Sequence, residues 1–348
     1  MEGTPLRVRP LIYLALGIAV FVLLVYWVDP SKLLTQAARI PPISIAGFVA
    51  SVLGFHLLRS IRWRKLLGAI GDDPKLKNVF WTNMIGYAVN SFIPVRFGGE
   101  IARAYIIDSK ERFGFFPSLS SVAVERILDL LTIVGLAATA ILAYSSALGN
   151  ASLMAILVIT GVLTVAMFGV VIVGSRNLPL TMRGFTWLLN KLPMKKRWRG
   201  RILDVIKSSL EGATAIGRDF KLLGLTLFLS ILIWITSFLG FYALFLGVGF
   251  NAPAAALLVG IMLFQLSFIL PSAPGNVGSF EGFLVLVFAG LGLSQADSTL
   301  AVGVVSHILN LLLIALLGML GVFLLGLKFG EVFRIPSIKK RNPPDTSP

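Results

Sequence analysis

Three ionisable residues, Glu125, Arg126 and Asp129, interrupt an otherwise apolar stretch in the first half of the chain. Glu125 and Asp129 are four residues apart and share one face of a helix, while Arg126 is three residues from Asp129 and can reach it. Ionisable residues within a membrane-spanning helix are costly and usually face a partner or a wet cavity. We therefore expect either a polar binding site or a structural network of buried ion pairs at this position.

More polar residues follow two Pro/Gly-rich interruptions of the apolar pattern. Arg96, Glu100 and Arg103 surround the first interruption. The carboxylate of Glu281, the imidazole of His307 and the amide of Asn310 follow the second. Guanidinium groups suit phosphate because they offer bidentate donors, carboxylates suit an amine or a coupling proton, and histidine can titrate near neutral pH. A purely structural, hydrogen-bonded role remains open for His307, and His56 is interpreted as structural. The candidate binding residues are Arg96, Glu100, Arg103, Glu125, Arg126, Asp129, Glu281, His307 and Asn310.

Both interruptions predict a tight break in the backbone. Irregular backbone at membrane depth survives only where protein or a wet cavity satisfies its polar groups. Helices that begin at about Gly99 and Ser279 could direct backbone N–H groups at an anion. The residues of the two breaks are Pro94, Gly98, Gly99, Pro271, Pro274, Gly275 and Gly278.

The elements that must position these residues are membrane helices. Hydrophobic residues make up 56% of the 348-residue chain and charged residues only 14%, against about 25% in soluble domains. There is no cysteine and there are two histidines, so we expect no disulfide, no metal centre and no cofactor. The net charge of +15 is attributed to cytoplasmic loops and not to nucleic-acid binding.

Six apolar segments are long enough to cross a bilayer, which needs about 20 residues. Basic clusters, including Arg59 and Arg62 after the second segment, all fall on one side. This pattern predicts an integral membrane protein with both termini in the cytoplasm. The predicted spans are 11–28, 43–61, 118–144, 151–174, 222–247 and 298–326.

Two shorter pairs of apolar segments, 78–93 with 100–107 and 254–270 with 279–291, predict re-entrant or broken helical hairpins. When Glu100 is aligned with Glu281, the residues 25 positions further on are Glu125 and Ser306 (125 − 100 and 306 − 281). In the same alignment Arg126 matches His307, and Asp129 matches Asn310. Three crossings separate the hairpins, so their orientations are opposite. Inverted repeats with interrupted segments at matching positions are typical of transporters with a midplane site.

We therefore predict an all-α polytopic membrane protein with one transmembrane domain at 1–327. Its repeats lie around 78–144 and 254–326. The basic segment 175–221 predicts a cytoplasmic linker with an amphipathic helix on the inner leaflet, although a solvated helix fits equally. The basic tail 328–348 is predicted to be disordered.

Three motifs in this order resemble the lysylphosphatidylglycerol synthase transmembrane-region family, also called flippase-like domain proteins. They are Pro94-Val-Arg-Phe-Gly-Gly-Glu-Ile-Ala-Arg103, Glu125-Arg-Ile-Leu-Asp129 and Pro274-Gly-Asn-Val-Gly-Ser-Phe-Glu281. The resemblance implies a role in moving aminoacylated phosphatidylglycerol or a related lipid between leaflets. Because only a short basic tail follows Leu327, it does not imply the aminoacyl transfer of members with a soluble domain. We expect no enzyme activity.

Other functions remain open at this point. A membrane-embedded transferase, or an accessory subunit of envelope lipid or glycolipid synthesis, fits the buried carboxylates, although no nucleophile–base signature accompanies them. An ion-coupled transporter of a small solute also fits inverted repeats. The expected partners are anionic or aminoacylated phospholipids or polyprenyl-linked lipids.

Overall fold

The computed structural model describes residues 30–92, 98–143, 177–191, 219–268, 274–293 and 295–327, with isolated positions at 26, 155–165 and 199–207. This part of the chain is helical and contains no strand. Its α-helices are α1 Pro30–Arg39, α2 Pro42–Gly68, α3 Leu76–Phe92, α4 Gly98–Glu111, α5 Phe115–Ala143, α6 Leu178–Lys191, α7 Phe220–Gly247, α8 Ala254–Ser267, α9 Ser279–Gly290 and α10 Ala296–Leu324.

Three of these helices, α2, α7 and α10, are long and apolar enough to cross a membrane. They match the predicted spans 43–61, 222–247 and 298–326, and α5 covers residues 118–143 of the predicted span 118–144. An all-helical membrane protein is therefore confirmed. The number of full spans stays a prediction, because most of the predicted spans 11–28 and 151–174 lies outside the described residues. The same holds for most of the amphipathic helix expected after residue 202 and for the tail.

Helix α1 differs from the sequence-based expectation, which placed a loop between residues 28 and 43. Its Leu33 is buried beside Val285, Leu300 and Ala301, so its one apolar face packs against α10. A ten-residue helix is marginal by propensity alone, and tertiary packing supplies most of its stability. The Pro41–Pro42 pair ends this helix and starts α2.

The core lies where helices from the two ends of the chain pack together. Helix α2 packs along α7, and a Cβ at Gly240 would overlap the Ser51 hydroxyl, so the two backbones approach closely. Helix α10 packs on α3 in the same way: a Cβ at Gly318 would lie 2.5 Å from the Ala88 Cβ. Small residues that permit such approach are typical of membrane helix interfaces.

Both predicted interruptions separate two packed helices. The first hairpin is α3 and α4, with its break at 93–97 outside the described residues, Pro94 included. The second hairpin is α8 and α9, whose break contains a short 3-10 turn, Pro274–Asn276, followed by Gly278; Pro271 is not described. Gly275 and Gly278 have φ values of 69° and 74°, which glycine adopts without strain. The turn packs against α3, so the second break lies beside the first hairpin.

Candidate functional site: a buried arginine cluster and a histidine–glutamate pair

Two arginines at the centre of the candidate site come from α2. Arg59 and Arg62 were expected to belong to a basic cluster at the loop after the second span; this expectation was wrong, because α2 continues to Gly68 and buries both side chains. The membrane side on which this loop lies stays a prediction. Arg62 is 0% exposed; its Nη1 donates to Asp129 Oδ1 at 2.8 Å and to Ser230 Oγ at 2.7 Å. Arg59 pairs with the other oxygen of Asp129 and donates to the Tyr87 hydroxyl at 2.7 Å.

Glu125, one turn before Asp129 on α5, contacts two guanidinium groups, that of Arg62 again and that of Arg103. Arg62 Nη2 lies 3.4 Å from its Oε1, and Arg103 of α4 pairs with its Oε2. The Arg103 guanidinium also lies over the Trp63 ring, 4.1 Å from its centroid, and the Trp63 indole donates to Ser121 Oγ at 2.8 Å. Helices α2, α4 and α5 are thus joined by charge-assisted contacts.

Glu100, at the start of α4, pairs with Arg126 of α5. The Asn90 amide donates to Glu100 Oε2 at 3.2 Å, and its oxygen accepts from the Gly99 N–H at 2.7 Å, so Asn90 holds the start of α4 against α3. The Arg126 side chain is 45% exposed and is the most accessible member of the group. We call this group the arginine cluster: Arg59, Arg62, Arg103, Arg126, Glu100, Glu125 and Asp129.

The pairings within the cluster differ from those expected. The spacing predicted that Arg126 would reach Asp129, but Arg126 pairs with Glu100, and Asp129 pairs with arginines of α2. Helical spacing sets which side chains share a face, whereas neighbouring helices supply the opposite charges. Arg59, Arg62, Tyr87, Asn90 and Ser230 were not among the candidates. A signal for Arg59 and Arg62 was present in the sequence: they are three residues apart, so they share a helix face, and no helix breaker separates them from Gly68.

Among the described residues, each guanidinium of the cluster contacts a carboxylate, but four guanidinium groups share three carboxylates, so the cluster has a net charge of +1. The Nε–H groups of Arg59, Arg62 and Arg103 are buried and have no hydrogen-bond acceptor among the described residues. A buried charge and a buried donor are both costly when unpaired. The arrangement is therefore suited to an anionic ligand.

The second hairpin carries a smaller polar group, which we call the histidine–glutamate pair. His307 Nδ1 of α10 lies 2.7 Å from Glu281 Oε1 of α9, and its Nε2 lies 2.7 Å from the Gly275 carbonyl oxygen. The other Glu281 oxygen accepts from the Gly278 N–H at 3.0 Å. The Phe280 ring stacks on the imidazole, with centroids 4.3 Å apart and planes 7° from parallel.

The two groups have matching connections along the chain. Glu100 and Arg126 are 26 residues apart, as are Glu281 and His307, and each contact joins the second helix of a hairpin to the following long helix. Asn310 is half-buried one turn after His307, and no hydrogen bond within the described residues ties it to the pair. Arg96 lies outside the described residues.

His56 is buried beside the cluster, with its ring centroid 4.8 Å from that of Tyr87. Its Nδ1 has no partner among the described residues, and its structural interpretation stays a prediction. In the part of the chain that the structure describes, no three His, Asp and Glu side chains converge as metal ligands would.

Relatives of known sequence share most of this chain. A UPF0104 membrane protein of Methanothermobacter thermautotrophicus is 25% identical over 92% of the chain and 94% of its own length. A UPF0104 membrane protein of Methanocaldococcus jannaschii is 21% identical over 82% of the chain and 85% of its own length. The glycosyltransferase AglD of Haloferax volcanii is 25% identical over 86% of the chain, which spans about half (52%) of that relative. No solved structure matches the chain.

The sequence profile of the lysylphosphatidylglycerol synthase TM region matches residues 14–328, which include both hairpins, the arginine cluster and the histidine–glutamate pair. This match covers most of the chain and agrees with the family resemblance of its three motifs. The chain is therefore an integral membrane protein that belongs to the lysylphosphatidylglycerol synthase transmembrane-region family.

Proposed function

We propose that this protein moves a phospholipid or a lipid-linked head group between the leaflets of a prokaryotic plasma membrane, with the arginine cluster as its head-group site. The observation that carries the proposal is the cluster's excess of one positive charge over the described residues. Four guanidinium groups and three carboxylates lie among apolar helices, where an uncompensated charge is costly. A phosphodiester head group carries one negative charge and would balance the cluster.

Arg126 is the residue at which a head group would first bind. Its side chain is 45% exposed, whereas those of Arg59, Arg62 and Arg103 are at most 6% exposed. A phosphate that contacts Arg126 competes with Glu100 for the same guanidinium. Release of Glu100 would loosen its contact with Asn90 and with it the start of α4, so binding and movement of the first hairpin are linked through one carboxylate.

The proposal also takes the two halves of the chain as inverted repeats, with both termini in the cytoplasm. The equal separation of Glu100–Arg126 and Glu281–His307 supports this relation, as does the helix–break–helix form of both hairpins. Transporters with inverted repeats place their substrate between interrupted helices near the midplane. The packing of the turn 274–276 against α3 puts the second break beside the first hairpin, which supports this arrangement.

A second candidate is a membrane-embedded transferase or an accessory subunit in the synthesis of an envelope glycolipid. The Haloferax volcanii relative is named a glycosyltransferase, which favours this candidate. The chain spans only 52% of that relative, so the matched region and the activity need not coincide. An enzyme would turn over in detergent, whereas a transporter shows its activity only across a sealed bilayer.

The test is leaflet exchange of fluorescent phospholipids in proteoliposomes. We expect accelerated exchange with the native chain and a loss of about tenfold or more in Arg126→Gln, because a hydrogen bond to a charged group contributes roughly 1.5–3 kcal/mol. Lys110→Gln is the matched control, since Lys110 is an exposed cation on α4 outside the cluster. Equal rates in the two variants would remove the cluster from the mechanism.

The lipid panel decides between the candidate functions. It should include anionic, zwitterionic, aminoacylated and polyprenyl-phosphate lipids. No acceleration with any of them would contradict the transport proposal, and sugar transfer to lipid in detergent would then favour the enzyme.

A further inference from the structure

We propose that Glu281 and His307 form a proton-binding site, and that the proton they share holds the second hairpin closed against α10. The site follows from the two acceptors that face one imidazole ring. The Gly275 carbonyl oxygen only accepts, so Nε2 must carry a hydrogen to make the 2.7 Å contact. A second hydrogen must then lie between Nδ1 and the carboxylate oxygen, which are also 2.7 Å apart.

This hydrogen is present in either of two forms. An imidazolium can donate to an ionised Glu281, or a protonated Glu281 can donate to a neutral ring. Both forms contain one proton more than a neutral histidine beside a carboxylate, and both keep every contact of the pair. The Phe280 ring, stacked 4.3 Å away, covers one face of the imidazole.

Loss of the shared proton removes one of the two contacts. A ring with hydrogen only on Nε2 keeps the Gly275 bond but turns a lone pair toward the Glu281 carboxylate. A ring with hydrogen only on Nδ1 keeps Glu281 but turns a lone pair toward the Gly275 carbonyl. The break is attached to His307 of α10 at two points, directly through the Gly275 carbonyl and indirectly through Glu281, which accepts from the Gly278 N–H. In either case one of these two attachments is lost.

Few other ionisable groups surround the pair. Helix α8 and the turn 274–276 contain none, and α9 contains Glu281 alone. Asp297 of α10 is ten residues from His307, roughly 15 Å along a helix, and Lys77 is at the far end of α3 from the break. The other described helices that pack against α10 are α1, α2, α3 and α7, and none of their ionisable residues bonds to the pair. Besides Lys77, these residues are Lys32, Arg39, His56, Arg59, Arg62, Arg64, Lys65, Tyr87, Lys221 and Tyr242.

The site has a short connection to the arginine cluster. A Cβ built on Gly275 would lie 3.8 Å from the carbonyl oxygen of Ser91 at the end of α3. Its neighbour Asn90 bonds to both Glu100 and the Gly99 N–H. Movement of Gly275 away from His307 would therefore change the surface against which the first hairpin rests. The coupling of the proton to transport rests on the proposed function, whereas the proton site rests on the contacts alone.

A cysteine reporter tests the site without reference to any lipid. The chain has no cysteine, so Val277→Cys introduces a single thiol between Gly275 and Gly278. We expect its corrected rate of reaction with a membrane-impermeant maleimide to rise about tenfold when the shared proton is lost on going to higher pH, because one charge-assisted hydrogen bond of the closed form is lost. An Asp72→Cys reporter in the exposed loop after α2 corrects for the pH dependence of the reagent.

Three variants in the reporter background make the test specific. Glu281→Gln presents an oxygen to the Gly278 N–H and an N–H to Nδ1, as a protonated glutamate does, so labelling should be slow at every pH. His307→Phe keeps a ring beside Phe280 but has no donor for Gly275, so labelling should be fast at every pH. His56→Gln changes the other histidine and should keep the native pH dependence. Identical corrected profiles in the Glu281→Gln and native backgrounds would overturn the proton site.

Leaflet exchange then tests the coupling. If the proton acts in transport, exchange by the native chain depends on pH and exchange by Glu281→Gln does not. If exchange by the native chain and by Glu281→Gln has the same pH dependence, the coupling is overturned. The result of the cysteine labelling then still decides whether the proton site exists. No exchange with any lipid would overturn the proposed function and the coupling together, while the labelling result still decides whether the proton site exists.

Discussion

Asp129→Asn should lower the free energy of unfolding by about 3–5 kcal/mol, the range for breaking a buried ion pair by removing one partner. Asp129 accepts from both Arg59 and Arg62, and its replacement raises the cluster's excess positive charge from one to two. The asparagine has the same size, so the loss reports charge and hydrogen bonding more than packing. Thermal or denaturant unfolding in a defined detergent measures it.

The chain contains a matched control for this substitution. Asp73 bonds to Arg64, which lies on α2 two residues after Arg62, with contacts of 3.0 and 2.5 Å. This pair is exposed, and exposed pairs contribute about 0–1 kcal/mol, so Asp73→Asn should be nearly neutral. Adding Arg59→Met to Asp129→Asn returns the excess charge to one and should recover part of the loss. Equal effects of the two Asp→Asn changes would show that the cluster is solvated and not buried.

Gly99→Ala is expected to destabilise the first hairpin by about 1–3 kcal/mol, the usual cost of overpacking. A Cβ at Gly99 would overlap the Gly86 carbonyl oxygen and approach the Asn90 side chain. The helices α3 and α4 would have to separate, and Asn90 would lose its contacts with Glu100 and the Gly99 N–H. The same unfolding assay measures the loss, and head-group binding should fall with it.

Gly135→Ala is the control for Gly99→Ala. Gly135 lies within α5 and has nothing within 4 Å of the position its Cβ would occupy. Alanine removes backbone freedom from the unfolded chain, so this change should be neutral or stabilising by up to roughly 1 kcal/mol. If Gly99→Ala proves as mild as Gly135→Ala, the close contact between α3 and α4 is not a constraint on the fold.

The helices and their breaks were accessible from the sequence because both depend on local patterns. Apolar length predicted α2, α5, α7 and α10, and Pro/Gly clusters predicted the interruption in each hairpin. Helix α1 was missed because ten residues are too few for a periodic signal to stand out. It is stabilised by packing on α10, where Leu300 lies 267 residues after Leu33 (300 − 33).

The site was only partly accessible for a related reason. Glu100, Arg126, Glu281 and His307 were found because each breaks an apolar pattern, and the repeat matched them as pairs. Arg59 and Arg62 were assigned to the cytoplasm because they begin a run of basic residues, and charge counting does not distinguish a buried arginine from a surface one. The difference is decided by Asp129, 70 and 67 residues away, and by Ser230.

The close packing of early helices on late ones has a consequence for biosynthesis. Helix α2 packs on α7, α3 on α10 and α5 on α8, so these interfaces pair a segment made before residue 175 with one made after residue 219. While the ribosome is still translating, Arg62 has no Ser230, and Gly318 has not yet covered Ala88. The first half must therefore stay in the bilayer with polar and small-residue faces uncovered until the last helix is inserted. We therefore expect chains truncated before α10 to be less stable than the full chain.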